Sequence, residues 1–148
     1  MDEETFWSLI ASFDWDKTGD DEAVVEPAVA ALAALPVDEL RSFEEILAEK
    51  LYTLDTEAHA KEIGEDRYRG ERTPFSVDAF LYARCVVVAN GGDFFEAVVA
   101  DPSQMPKDME FESLLYVAES AHERKTGEPL DHTPRVSYET FSNRAGWS

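Results

Sequence analysis

A chain of 148 residues with 32 acidic and 13 basic side chains carries a formal charge of −19, which repels nucleic acid and anionic membrane and attracts basic partners. A domain of this length buries about 70% of its unfolded surface, and 44% hydrophobic residues suffice for one packed core. One cysteine allows no internal disulfide, the opening MDEETFW is acidic where a secretory signal is basic, and the longest apolar run (Ala28 to Val37) is too short to span a bilayer, so a cytoplasmic setting is expected.

The first predicted helix covers residues 2–13, with Asp2 as its cap and Phe6, Leu9, Ile10 and Phe13 at helical spacing. DWDKTGDDE (Asp14 to Glu22) reads as a polar loop. The next helix is predicted over Val24 to Leu35, because proline at position 27 is tolerated only in a first turn. Pro36 ends it. Leu40, Phe43, Leu47, Leu51 and Leu54 then form the clearest apolar stripe, with Glu44, Glu45 and Glu49 off it.

A helical turn is predicted from Thr56 to Ile63, stopped by Gly64. GEDRYRGERTP (Gly64 to Pro74) is a loop, and Ser76 caps a helix through Ala79, Phe80, Ala83, Val87 and Val88. In ARCVVVANGGDFFEAVVADP, Asn90-Gly91 suggests a hairpin, yet neither flank alternates polar with apolar. Asp93 and Glu96 match a capping box, and Gly91 suits a left-handed helix end, so a helix, a glycine break and a second helix are predicted.

The last long helix is placed between Asp108 and Gly127, with Phe111, Leu114, Leu115, Ala118 and Ala121 on its apolar face. The stretch after it has no helical period. Its Val136, Tyr138, Phe141 and Trp147 are nonetheless too apolar for a free segment. The fold class expected is all-α: a compact single-domain bundle of five to six helices over residues 1–127, with an irregular extension, 128–148, packed on it.

Candidate chemistry is sparse. Cys85 lies beside Arg84 and three valines with no nearby histidine, which reads as a buried thiol and not a nucleophile. Asn90-Gly91-Gly92 lacks the lysine and spacing of a phosphate loop. Glu119 and His122, three residues apart, resemble half of a helical di-metal site, but no second Glu-x-x-His pair exists. They are weak metal candidates, as are His59, Glu57 and Glu62. No catalytic set and no cofactor are expected. Arg67, Tyr68, Arg69 and Arg72 are the one local concentration of basic residues, a candidate anion or partner loop, set against neutralisation by Glu65, Asp66 and Glu71. Trp7 and Trp15 suit either a binding face or the core.

MDEETFWSLI, LPVDEL, FLYARCVVVANGGDFFEAVVADP and FESLLYVAESAHERKTG together resemble the bacterial domain-of-unknown-function family DUF4240 over most of residues 1–127. The stretch Asp55 to Pro74 departs from the family pattern. The resemblance implies a small helical domain and carries over no activity or catalytic residue.

Residues 1–63 hold 4 basic and 17 acidic side chains, against 9 and 15 in residues 64–148. This asymmetry favours a non-enzymatic interaction protein that binds a basic protein partner, with no direct nucleic-acid or membrane contact. Two alternatives stand beside it. One is an enzyme, with or without metal assistance, in which Glu119, His122 and the arginine loop converge; the other is a nucleic-acid mimic or immunity-type inhibitor.

Overall fold

The side chain of Asp2 accepts a hydrogen bond from Thr5 N at 2.8 Å, which starts α1 (Glu3–Ala11) where the sequence places it. The computed structural model describes residues 1–148. The helices that follow are α2 (Asp21–Ala33), α3 (Val37–Thr53), α4 (Glu57–Ala60), α5 (Val77–Ala89), α6 (Gly92–Ala100) and α7 (Val117–Thr126). Short 3₁₀ turns occupy Trp15–Lys17, Pro102–Gln104, Glu112–Tyr116 and Arg144–Trp147. There is no strand. The fold is all-α, as expected, with one helix more than the upper estimate because α4 is a single turn. No helix is long and apolar enough to cross a membrane.

The centre of the molecule is α5, buried from Ala79 to Ala89 except at half-buried Tyr82. A helix apolar all round must be enclosed by its neighbours. It packs on α1, α3, α6 and the Glu112–Tyr116 turn, while α7 bridges α2 and α3. The predicted stripe of α3 is buried throughout, from Leu40 to Leu54.

Three boundaries differ from the sequence reading. Helix α2 starts at Asp21, capped by Asp20, so Pro27 lies well inside it and not in the first turn. Pro27 gives the Ala23 carbonyl no N–H, but both residues reach solvent, where water can satisfy that carbonyl. Asp93 does not cap α6. Gly91 does, at φ 102° and ψ 168°, and its carbonyl accepts from Phe95 N. This backbone conformation is open only to glycine, and it lets the helix begin one residue before Asp93. The helix predicted from Asp108 is a 3₁₀ turn followed by the shorter α7. Gly127 ends α7 in the left-handed conformation at φ 77°.

Candidate functional site beneath the segment 128–148

After Gly127 the chain runs extended across the helices. His132, Pro134, Val136, Tyr138 and Thr140 lie inward, while Thr133, Arg135, Ser137 and Glu139 are exposed. This is the period of an extended chain, seated on helices and not in a sheet. Beneath it the helices present three ionisable groups that are buried or mostly so.

Arg84, from the middle of α5, is fully buried without a direct carboxylate partner. Its Nη1 donates to the carbonyls of Leu51 (2.9 Å) and Tyr138 (3.0 Å), and its Nη2 donates to Thr140 Oγ1 (3.0 Å). Nε has no partner, and the guanidinium lies 4.6 Å over the Phe80 ring. Burial pulls its pKa down to about 10, against the opposing pull of Asp55, so the group stays charged at neutral pH.

Asp55, where α3 gives way to α4, is also fully buried. All its side-chain hydrogen bonds come from the segment. Oδ1 accepts from Phe141 N (3.1 Å) and Trp147 Nε1 (2.9 Å), and Oδ2 accepts from Asn143 N (3.0 Å). Phe141 takes φ 77°, rare for a bulky residue, at this anchor point. Gly146 passes so close that a Cβ there would stand 2.7 Å from the Asp55 carbonyl oxygen. Trp147 then enters an aromatic cluster with Tyr68, Phe75, Phe80 and Phe141, with ring centroids 4.6 to 6.3 Å away. A cleft of about 690 Å³ opens beside that cluster, lined also by Glu57 and Glu71.

Glu44, on α3, completes the seam. Its Oε1 is buried and unpartnered, and it faces a cleft of about 220 Å³ roofed by His132, Val136, Tyr138 and Glu139. Burial, with Glu119 and Glu45 adding repulsion, raises its pKa to about 7. The Tyr138 hydroxyl is pushed up to about 12, chiefly by burial and then by Glu44.

The residues singled out from the sequence are placed otherwise. Tyr68 turns inward to the aromatic cluster, and its N–H donates to the Ala60 carbonyl at 3.0 Å. Arg67 and Arg69 donate to the Gly64 and Glu65 carbonyls of their own loop, and Arg72 makes no side-chain hydrogen bond or ion pair. His122 is buried and its Nδ1 donates to the Glu128 carbonyl at 2.8 Å, while Glu119 is exposed and not bonded to it. His59 uses both ring nitrogens. Nε2 donates to the Val98 carbonyl at 2.9 Å and Nδ1 accepts from the Thr56 hydroxyl at 2.6 Å, a neutral tautomer with no lone pair free for a metal. No three His, Cys, Asp or Glu side chains are grouped so as to hold an ion.

Asp55, Arg84 and Glu44 did not stand out in the sequence. The one available signal was Arg84 itself, a lone cation inside the apolar run of α5. A family model described as "Protein of unknown function (DUF4240)" matches residues 1–124, so all three groups lie in the matched part and the segment above them lies beyond it. No curated protein and no solved structure matches the chain.

Proposed function

The chain belongs to the DUF4240 family, and from that premise we propose that it is a non-enzymatic protein-interaction module whose acidic surface binds a basic protein. The observation that carries this reading is the arrangement of Asp14 to Glu22. Asp14, Asp16, Asp20, Asp21 and Glu22 enter none of the molecule's ion pairs, and all but Asp14 are exposed. Trp15 stands among them, 42% exposed and braced from below by Phe13 and Phe111. An exposed indole in a stretch of five carboxylates outside any ion pair, with Lys17 the one cation among them, suits lysine or arginine side chains through cation–π and charge attraction together.

Affinity capture from cell lysate at low and at moderate salt, with wild type and a W15A/D16N/D21N/E22Q variant, tests this. The two capping aspartates are kept so that α2 still starts normally. Basic proteins should be retained by wild type at low salt, released as salt rises, and lost with the variant. Recovery of no partner, or of partners indifferent to both salt and the substitutions, overturns the reading.

A further inference from the structure

We propose that the cleft bordered by Tyr68, Phe75, Phe141 and Trp147 binds a small organic cation that carries a quaternary ammonium group. The cleft shares no residue with the acidic patch around Trp15, and the proposal does not rest on that patch.

The first argument is the wall. Tyr68, Phe75 and Trp147 are half-buried and Phe141 is 46% exposed, so four aromatic side chains reach the surface around one cleft of about 690 Å³. That volume is the size of a small-molecule site. The Tyr68 ring stands at 86° to the Trp147 indole and the Phe141 ring at 68°, with centroids 5.1 and 4.6 Å away. Rings so steeply inclined wall the cleft from different sides. Clustered apolar surface of this kind marks a binding site more than a solvated one.

The second argument is charge. The two charged side chains that line the cleft are both carboxylates, Glu57 and Glu71. Glu71 enters no ion pair, and Glu57 is bonded only to exposed Lys61, at 3.1 Å. Arg67 and Arg69 are spent on carbonyls of their own loop, and Arg72 does not border the cleft. Elsewhere the chain covers its aromatic rings with its own cations. Lys50 stands over Trp7 and Phe95, and Arg84 over Phe80, at 4.6 to 5.9 Å from the ring centroids. None stands over Tyr68, Phe75, Phe141 or Trp147.

The kind of cation follows from hydration. A primary ammonium is a compact, strongly hydrated charge and must shed water to reach an aromatic wall. A quaternary ammonium holds water weakly and turns methyl groups to the rings, so it gains both cation–π attraction and apolar contact. The acidic rim then supplies the counter-charge.

Nuclear magnetic resonance on the full chain tests this at about 150 mM salt, where diffuse attraction to the acidic surface is screened. Choline is the probe, and its uncharged analogue, with carbon in place of nitrogen, is the control. Choline should saturably shift the Trp147 indole N–H signal, since that group is fixed on Asp55 at 2.9 Å and its ring borders the cleft. The analogue should bind at least about fivefold more weakly. E71Q and F141L should each weaken choline at least about threefold and leave the analogue nearly unchanged. Glu71 makes no hydrogen bond or ion pair in the fold, so E71Q decides alone should F141L fail to fold.

No saturable shift up to about 20 mM choline overturns the proposal. Equal affinity for the uncharged analogue reduces the cleft to an apolar surface and overturns it as well. So does choline binding indifferent to the substitutions, which would place the cation elsewhere. A peptide carrying trimethyllysine is the last arm. Binding at least about tenfold tighter than choline would assign the ammonium group to a protein side chain and overturn a small free ligand.

Discussion

Glu44 and His59 are both pressed by burial toward their neutral forms, with opposite consequences for pH dependence. Glu44 has a folded pKa of about 7 against 4.5 for the free group. Its contribution to stability is fully present below 4.5 and is lost as pH rises through 7. That difference in proton affinity corresponds to on the order of 3 kcal/mol. The groups facing Glu44 are Glu45 on its own helix, Glu119 on α7, and Tyr138, Glu139 and His132 on the segment above, with His132 already bonded to Glu45 at 2.9 Å. His59 is held below its ordinary 6.5 by burial, so its contribution is present above 6.5 and is lost as pH falls. Between pH 6.5 and 8.5 Glu44 therefore dominates. Melting temperature should fall across this range for wild type and stay nearly level for E44Q. Parallel slopes for the two proteins would show that Glu44 does not titrate there. Cys85 is a simpler case. It is fully buried, and burial pushes its thiol up to about 12, so thiolate is scarce at pH 8. Labelling of native protein by an aromatic disulfide reagent should be at least a hundredfold slower than after unfolding; equal rates would place the thiol at the surface.

The elements were legible wherever their signals are local. Asp2, Ser76 and Gly127 act at helix ends as their residue types suggest, because a cap bonds within three or four positions. The stripes of α3 and the buried valines of α5 follow from spacing alone. The seam was not legible, because its partners are far apart in the chain. Asp55 is bonded to residues 86 to 92 positions away, and Arg84 to the segment 54 to 56 positions away. The alternation from His132 to Thr140 was present in the sequence, but a period of two ordinarily signals a sheet, and here no strand receives it. The α5–α6 junction was read correctly as a helix break and misread in its cap, since Asp93 fits the capping-box spacing and Gly91 takes the role through backbone freedom. That distinction is measurable. A Cβ at Gly91 meets nothing within 4 Å, so the cost of G91A is backbone strain alone, about 1–3 kcal/mol. D93A removes no cap hydrogen bond and should cost less than about 0.5 kcal/mol. Chemical denaturation of the two variants compares them, and a larger loss for D93A would restore aspartate as the cap.

At the scale of the whole molecule, charge opposes folding. The molecule's surface of 7867 Å² corresponds to a sphere of radius about 25 Å carrying −19. The unfolded chain spreads the same charge over a radius of gyration of roughly 40 Å. Screening therefore relieves the folded state more than the unfolded one. Between about 10 mM and 150 mM salt the Debye length falls from roughly 30 to 8 Å, and the difference in relief is roughly 5 kcal/mol. Salt also weakens the ion pairs, which pull the other way. Most of them, such as Arg41–Asp38, Lys61–Glu57 and Arg135–Glu49, join solvent-exposed side chains. Pairs of that kind contribute about 0.2–1 kcal/mol each and lose only part of it to screening. Bidentate Arg124–Glu26, at 2.7 and 2.8 Å, ties α7 to α2 and is the pair best placed to survive. Self-repulsion should win. Melting temperature is expected to rise by roughly 10 °C between these salt concentrations, most steeply below 50 mM. A D16N/D21N/E22Q variant, which removes three negative charges and keeps Trp15 on Phe13 and Phe111, should melt higher than wild type at low salt, with the gap closing at about 150 mM. A bound basic protein neutralises the same field, so it should raise the low-salt melt in the same way. A wild-type melt indifferent to salt would mean that the carboxylates are already compensated, and the attraction proposed for a basic partner would lose its physical source.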